Sequence, residues 1–262
     1  MSTYDIVAPT YDEFRALSDA VLARIRRAVV DAMPLSSRPR LLDLGAGSGR
    51  VGRAFVAAGD DYVGVDLSLG MLRQFARRAD TNHRGPRLVQ AEGERLPFAD
   101  ALFDGVLLVQ VFGGLDDWRR FLGEARRVLR SPGALILGRG VLPDGGVDAR
   151  MKERLDAILA EIGVPPRRKN ARDDAQRWLA SIADGGAPVV ASAWDAERTP
   201  RGFVERHRRG ARFSALPEPI KDEAMRRLSA WAVSEFGSLD APSRERHTFE
   251  LRTFTVHEET RR

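Results

Sequence analysis

Apolar residues along the first half of this chain fall into short blocks of two kinds. Leu41-Leu42-Asp43-Leu44, Tyr62-Val63-Gly64-Val65 and Val106-Leu107-Leu108-Val109 are continuous or nearly so, the pattern of strands covered on both faces. Between them apolar positions return every three or four residues, the period of a helix with one buried stripe. The pattern predicts strands at Arg40–Leu44, Tyr62–Asp66, Arg87–Ala91, Phe103–Gln110 and Ala134–Gly138. It predicts helices near Arg50–Ala58, Leu69–Ala79 and Trp118–Leu129, and an N-terminal helix carrying Phe14, Leu17, Val21, Leu22, Ile25 and Val29. Strands alternating with helices specify a doubly wound, mostly parallel sheet.

Beyond about residue 140 the rhythm changes. Two helical stretches, Asp148–Ile162 and Ala171–Ala183, precede a strand at Pro188–Trp194. Thr199-Pro200 opens another helix by placing proline in its first turn, and Pro217-Glu218-Pro219 opens one carrying Ile220, Ala224, Leu228, Trp231 and Val233. Alternation in Arg246–Val256 predicts a closing strand. The expected fold is therefore α/β, a seven-stranded Rossmann-like sheet with a helical cap inserted between its last strands. Residues 1–140 are expected to form the N-terminal helix and the Rossmann-like core, the part that would bind a cofactor, and 141–262 the last strands with insertions at about 141–186 and 196–244. The cap is expected to cover a crevice at the strand ends Leu44, Asp66, Ala91 and Gln110, where such sheets bind ligands. Its Phe203, Phe213 and Trp231 are expected to be exposed, lining either a substrate pocket or a contact between copies of the chain.

Composition narrows the chemistry. The 262 residues include no cysteine, which excludes a thiolate nucleophile and cysteine-ligated zinc, and His83, His207, His247 and His257 show no metal-ligand spacing. No apolar stretch is long enough to span a membrane, and Met1–Thr10 lacks the basic and apolar segments of a signal peptide, so the cytoplasm is the expected compartment. The formal charge is +5, and all but Lys152, Lys169 and Lys221 of the 42 basic residues are arginine. Pairs such as Arg26-Arg27, Arg77-Arg78 and Arg226-Arg227 lie on polar helix faces among acids, with no aromatic and basic platform, which argues against a nucleic-acid partner.

The first strand runs into Gly45-Ala46-Gly47-Ser48-Gly49, a loop whose glycines permit a sharp turn and a close approach to a ligand. Asp66 ends the second strand 21 residues after Gly45, where a carboxylate can accept both ribose hydroxyls of an adenosine cofactor. Gly47-Ser48-Gly49-Arg50-Val51-Gly52 also satisfies the dinucleotide fingerprint G-x-G-x-x-G, which keeps an NAD(P)-dependent oxidoreductase in view.

The full series decides between them. Asp43-x-Gly45-x-Gly47-x-Gly49, Asp66, Glu92-Gly93-Glu94-Arg95-Leu96-Pro97-Phe98, Phe103-Asp104 and Glu124-x-x-Arg127-Val128-Leu129-x-x-Pro132-Gly133 together resemble class I S-adenosylmethionine-dependent methyltransferases, particularly the ubiquinone/menaquinone-biosynthesis-like, methyltransferase type 11 group. The resemblance covers roughly residues 9–140. It implies S-adenosyl-L-methionine as cofactor, S-adenosyl-L-homocysteine as product and a small-molecule acceptor. It implies that Gly45, Ala46, Gly47 and Gly49 pass beneath the methionine and ribose parts, and that Asp43 orients the loop or meets the amino group. Asp66 would meet the ribose, and Leu67 and Met71 the adenine edge. Glu92 stands where the family usually has aspartate beside the adenine, and Gly93 would offer a backbone amide. Tyr11, in Ala8-Pro9-Thr10-Tyr11-Asp12, would close over cofactor and acceptor, and Gln110 would face the methyl group. The stretch Val109–Gly114 lacks the Asn/Asp-Pro-Pro-aromatic motif of base-methylating enzymes.

Methyl transfer from a sulfonium is an in-line displacement that demands alignment above all, and an acceptor arriving ionised needs no strong base. Gln110, Arg139, Glu205 and His207 are the candidates for groups near the acceptor, with Arg139 and Arg201 able to hold an anionic one, and no catalytic base is assigned. A methyltransferase fold that binds cofactor or a protein partner without turnover is the non-enzymatic alternative.

Overall fold

Leu41, Leu42 and Leu44 lie on β1 (Arg40–Leu44), the central one of the five parallel strands, and all three are buried. In this computed structural model β1 runs parallel to β2 (Asp61–Asp66) on one side and to β4 (Phe103–Val109) on the other. Outside them lie β3 (Arg87–Gln90) and β5 (Leu129–Val141), also parallel. Described here is the whole chain apart from residues 1–3, 6–7, 13–15, 35, 37, 80–84, 116, 166–170, 211–212, 214 and 258–262. The expected contribution of Phe14 and the position of His83 thus lie outside the described residues.

The chain winds outward through β2 and β3, then returns to the far side of β1 for β4, so the winding reverses between β1 and β4. Next to β5 lies β8 (Ser243–Val256), antiparallel from Gly133↔Val256 to Val141↔Thr248. The outermost position is shared by β6 (Asp184–Gly185) and β7 (Val189–Arg198), both antiparallel to β8. The sheet therefore has eight strands where the sequence pattern gave seven, because its outer strand is interrupted between residues 185 and 189.

Alternation along the strands sends Leu41, Leu107 and Ile136 to one face and Leu42, Val106 and Leu135 to the other. The first face is covered by α1 (Asp19–Asp31), through Val21, Leu22, Ile25 and Val29, by Phe55 of α2 (Arg53–Ala57) and by Phe75 of α3 (Leu69–Arg78). The second is covered by α4 (Trp118–Val128), whose Phe121, Leu122, Ala125 and Val128 form the buried stripe.

After β5 come α5 (Val147–Glu161), α6 (Ala171–Ile182), α7 (Pro200–Arg208) and α8 (Glu218–Phe236). Three of these build a separate core from residues that include Met151, Leu155, Ile158, Phe203, Phe213 and Leu228. Phe203 and Phe213 are buried inside it and Trp231 packs against it, so these side chains hold the cap together and are not the exposed surface expected of them. Helix α6 stays out of the cap: its Ala175 and Leu179 join the sheet core beside Trp118 and Phe254. An apolar stripe serves equally well against a sheet or against other helices, which is why sequence pattern alone grouped α6 with its neighbours.

The cap stands on a ribbon. Pairing of β5 with β8 ends at Val141↔Thr248, whereas β7 and β8 stay paired as far as Arg198↔Ser243. At this root the buried Glu245 accepts a 2.5 Å hydrogen bond from the N–H of Val147 at the start of α5 and lies 3.2 Å from His247 Nε2. Asp148 pairs with Arg206 and, at 3.3 Å, with Arg198. No helix among the described residues is long and apolar enough to cross a membrane.

Candidate cofactor and acceptor site

At the carboxyl ends of β2, β1 and β4 the structure opens a cleft of about 480 Å³. Its floor is the loop after β1. Gly45 has φ +87°, a conformation that L side chains avoid, and a Cβ there would run into Val111. The N–H groups of Gly45 and Ala46 both donate to Val65 O, at 2.8 and 2.9 Å, tying the loop to β2. Asp66 then clamps it from the side: Oδ2 accepts from Gly47 N at 2.9 Å and Oδ1 from Ser68 N at 2.8 Å. Burial raises the Asp66 carboxyl above its ordinary value, and these backbone donors oppose the rise.

Asp43, the last polar side chain of β1, is buried and bonded through Oδ2 to the Tyr62 hydroxyl at 2.7 Å. Burial pushes its pKa up to about 7, against the opposing Tyr62 hydrogen bond. Its other oxygen, Oδ1, and the hydroxyl of Ser48, a second cleft-lining residue, are buried with no hydrogen-bond partner. Polar atoms in that condition cost stability unless a ligand completes them.

The N-terminal segment forms one rim. Tyr4 and Tyr11 line the cleft with their rings edge to face at 6.2 Å, and Tyr11 packs with Ala8 on the buried Met71. Asp5 Oδ1 accepts from Ser68 Oγ at 2.5 Å and from Gly70 N at 3.0 Å, and the buried Asp12 pairs with Arg78, so the segment is pinned to α3. On the opposite rim Gln110, at φ +56°, turns out of β4 and accepts a 2.5 Å hydrogen bond from Arg50 Nη2. Glu92 and Gly93 line the cleft beyond β3, and a Cβ on Gly93 would strike the Phe121 ring, so only glycine lets that loop close on α4.

The cleft thus gathers Tyr11, Asp43, Gly45, Ala46, Gly47, Asp66, Leu67, Met71, Glu92, Gly93 and Gln110. Gly49 is absent from its lining. At φ +76° it is buried against Phe75, so its role is to let the loop pack on α3. Arg139 lies outside the cleft, bonded to Glu250 at 3.0 and 2.9 Å. His207 stacks on Phe203 at 3.6 Å between centroids, with Nδ1 2.9 Å from the Phe203 carbonyl, so it lies half-buried against the cap's core and outside the cleft lining. Arg201 is held by Asp240 at 2.6 and 2.8 Å. Ser48, Arg50 and Glu94 also line the cleft and were missed. The first two stand inside the glycine loop itself, so their position was a readable signal.

The dinucleotide alternative fits this geometry poorly. The helix that should receive a diphosphate starts only at Arg53 and is five residues long.

Residues 42–137 match the family model described as "Methyltransferase domain". Over this stretch the chain is similar to methyltransferase domains. Similar proteins include demethylmenaquinone methyltransferases of Renibacterium salmoninarum, 34% identical over 144 residues (55% of this chain, 59% of the relative), and of Parafrankia sp., 39% identical over 151 residues (51% and 59%). The chain spans little more than half the length of these curated relatives. The Bacillus halodurans protein BH2331 shares the fold, with a TM-score of 0.58 and 19% identity over 91% of this chain and 99% of that one. The family match begins inside β1 and ends within β5, before the cap.

Proposed function

We propose that the protein transfers the methyl group of S-adenosyl-L-methionine to a small-molecule acceptor. The observation that carries this reading is the pair of buried, unpartnered atoms of cleft-lining residues, Asp43 Oδ1 and Ser48 Oγ, beside a glycine cradle clamped by Asp66. A ligand with hydroxyl and ammonium donors meets these acceptors, and four carboxylates in the lining (Asp43, Asp66, Glu92, Glu94) favour one carrying positive charge. When bound, the cofactor supplies an electrophilic methyl on a positively charged sulfur.

The chain's own residues bind and align. Asp66, already fixed by Gly47 and Ser68, presents its remaining lone pairs to the ribose hydroxyls. Leu67, Met71 and Gly93 receive the adenine, with Glu92 at its edge. Gln110 stands at the end of β4, on the side from which the acceptor enters. The relatives named demethylmenaquinone methyltransferase support a small, ring-bearing acceptor whose ionisable oxygen or carbon attacks without a dedicated base. The pairing of helix-surface arginines with acids, Arg26 with Asp60 and Arg226 and Arg227 with Glu223, favours such an acceptor over a nucleic acid. Acceptor choice falls to the cap, which follows the family-matched segment.

The test is parallel titration calorimetry with S-adenosylhomocysteine, S-adenosylmethionine and NADPH. Micromolar binding of the first two alone supports the reading. Binding of NADPH alone overturns it in favour of an oxidoreductase, and binding of none overturns it in favour of a fold without turnover.

A further inference from the structure

Helix α6 begins at the end of the sheet that carries the cleft. It packs against the short turn Phe112–Gly114, and the residues flanking that turn, Val111 and Leu115, line the cleft. Gln110, also in the lining, donates its N–H to Gly138 O at 3.2 Å, so Arg139 stands one residue beyond this contact on β5. Alternation sends Arg139 to the face of Leu135 and Leu137, which α6 covers, and Glu250 pairs with it in register on β8. Three charged side chains therefore come together where α6, β5 and β8 converge, two residues before β5 ends at Val141: Arg139, Glu250 and Arg172, the second residue of α6.

The three do not balance. Glu250 is engaged by Arg139, whose Nε and Nη2 both donate to its Oε2 at 3.0 and 2.9 Å. Arg172 has its Nε buried with no hydrogen-bond partner. Burial, then the like charge of Arg139, holds its pKa below the ordinary arginine value, against the pull of Asp173 and Glu250. Asp173 is exposed, where water and salt screen its charge. Two guanidinium groups facing one half-buried carboxylate leave one positive charge uncompensated, and a partly desolvated guanidinium costs stability unless an anion completes it.

Resting on the proposed function, we infer that Arg172, with Arg139 beside it, holds an anionic group of the methyl acceptor, so that the acceptor is a monoanion. The four carboxylates of the cleft lining repel such a group from the cleft itself, which leaves the foot of the cap as the place where its charge is met. The atom to be methylated then lies at the Gln110 end of the cleft, and the anionic group lies across the Phe112–Gly114 turn from it. Arg172 binds and orients the acceptor and takes no part in the displacement.

The probes are 2-naphthoate and 2-naphthamide, which share a ring system and differ in charge, with acetate as a free anion. Calorimetry on the wild type, Arg172→Met, Arg172→Lys and Glu250→Gln reads each probe, and S-adenosylhomocysteine in a separate titration. The wild type should bind naphthoate about tenfold or more tightly than naphthamide. Arg172→Met should erase that preference while leaving S-adenosylhomocysteine within about twofold, and Arg172→Lys should recover part of it. Glu250→Gln, which releases Arg139, should widen it, an effect that damage to the fold would not produce. Equal binding of the two naphthyl probes, no binding of naphthoate, or a preference that survives Arg172→Met would remove the assignment. Acetate bound as tightly as naphthoate would reduce the cluster to a site for small anions and overturn the acceptor role. Failure of the wild type to bind S-adenosylhomocysteine would bring down the cofactor reading instead, and the naphthoate preference, measured without cofactor, tells that failure from failure of the anion site.

Discussion

Tyr62 and Asp43 meet diagonally across the parallel pair β1 and β2, two positions apart in register, joined by a 2.7 Å hydrogen bond in which the phenol donates to the buried carboxyl. Burial and the neighbouring Asp43 together hold the phenol well above its ordinary pKa, so it remains a donor at any working pH. The carboxyl is the group that titrates, near pH 7.

The sign of the pH dependence follows. In the unfolded chain Asp43 ionises near 3.8, and in the folded protein near 7, so folding retains a proton between those values. Its contribution to stability is complete below the unfolded value and is lost as pH rises through the folded one. Binding runs the other way: an ammonium favours the ionised carboxyl, so affinity for S-adenosylhomocysteine should rise with pH through about 7 and then level. Asp43→Asn should flatten both curves. Denaturant midpoints and calorimetry at about pH 5 and about pH 8 check this, and an Asn variant as pH-dependent as the wild type would exclude Asp43 as the titrating group.

Asp66 has two tasks, which changes what its removal should do. Beyond any contact with ribose, its oxygens satisfy the N–H groups of Gly47 and the buried Ser68. Asp66→Ala should therefore weaken S-adenosylhomocysteine by about 1–3 kcal/mol and also lower stability by about 1–3 kcal/mol, since each orphaned donor carries its own cost. Asp66→Asn, which keeps one acceptor, should spare more stability than affinity. Paired urea melts and titrations separate the two losses. Equal affinity of both variants and the wild type would exclude the ribose role.

The sheet was legible because strands covered on both faces leave unbroken apolar runs, and the site was legible because glycines, Asp43 and Asp66 mark strand ends where ligands bind. What escaped has a common physical cause. Periodicity tells which face of a helix is buried but not against what, so α6 was assigned to the cap when Ala175 and Leu179 belong to the sheet. The same blindness made Phe203 and Phe213 look exposed and made Arg139, Arg201 and His207 look available, although Glu250, Asp240 and the Phe203 ring occupy them. An Arg-rich chain supplies many cations near any site, and only the fold shows which one faces the cleft.

Gly49 offers a test that sets packing apart from ligand contact. Gly49→Ala places a methyl into the Phe75 ring at a residue with φ +76°. Left-handed backbone costs an L residue roughly 1–2 kcal/mol, and overpacking of a filled core about 1–3 kcal/mol more. A fall in the thermal midpoint of several degrees is expected, whereas Gly113→Ala, with open space around its Cβ position and no positive φ, should fall far less. Equal melting of the two variants would exclude the Phe75 contact as the reason for glycine at position 49.

The root of the cap makes the last prediction. Glu245, on the ribbon of β7 and β8, satisfies the N–H of Val147, the first residue of α5, whose N-cap Gly146 has no side chain to do so. It also holds the buried His247. Truncation in Glu245→Ala leaves both groups buried without that partner, at a cost of about 1–3 kcal/mol, whereas Glu245→Gln keeps an acceptor for Val147. The loss should be local, because α5, α7 and α8 share a core of their own, separate from the two that cover the sheet. Amide hydrogen exchange should show lost protection across residues 147–161, 200–208 and 218–236, with β1, β4 and β5 unchanged. Loss spread evenly over the sheet would mean that cap and core unfold as one unit, so that a change in the cap could not leave the cleft undisturbed.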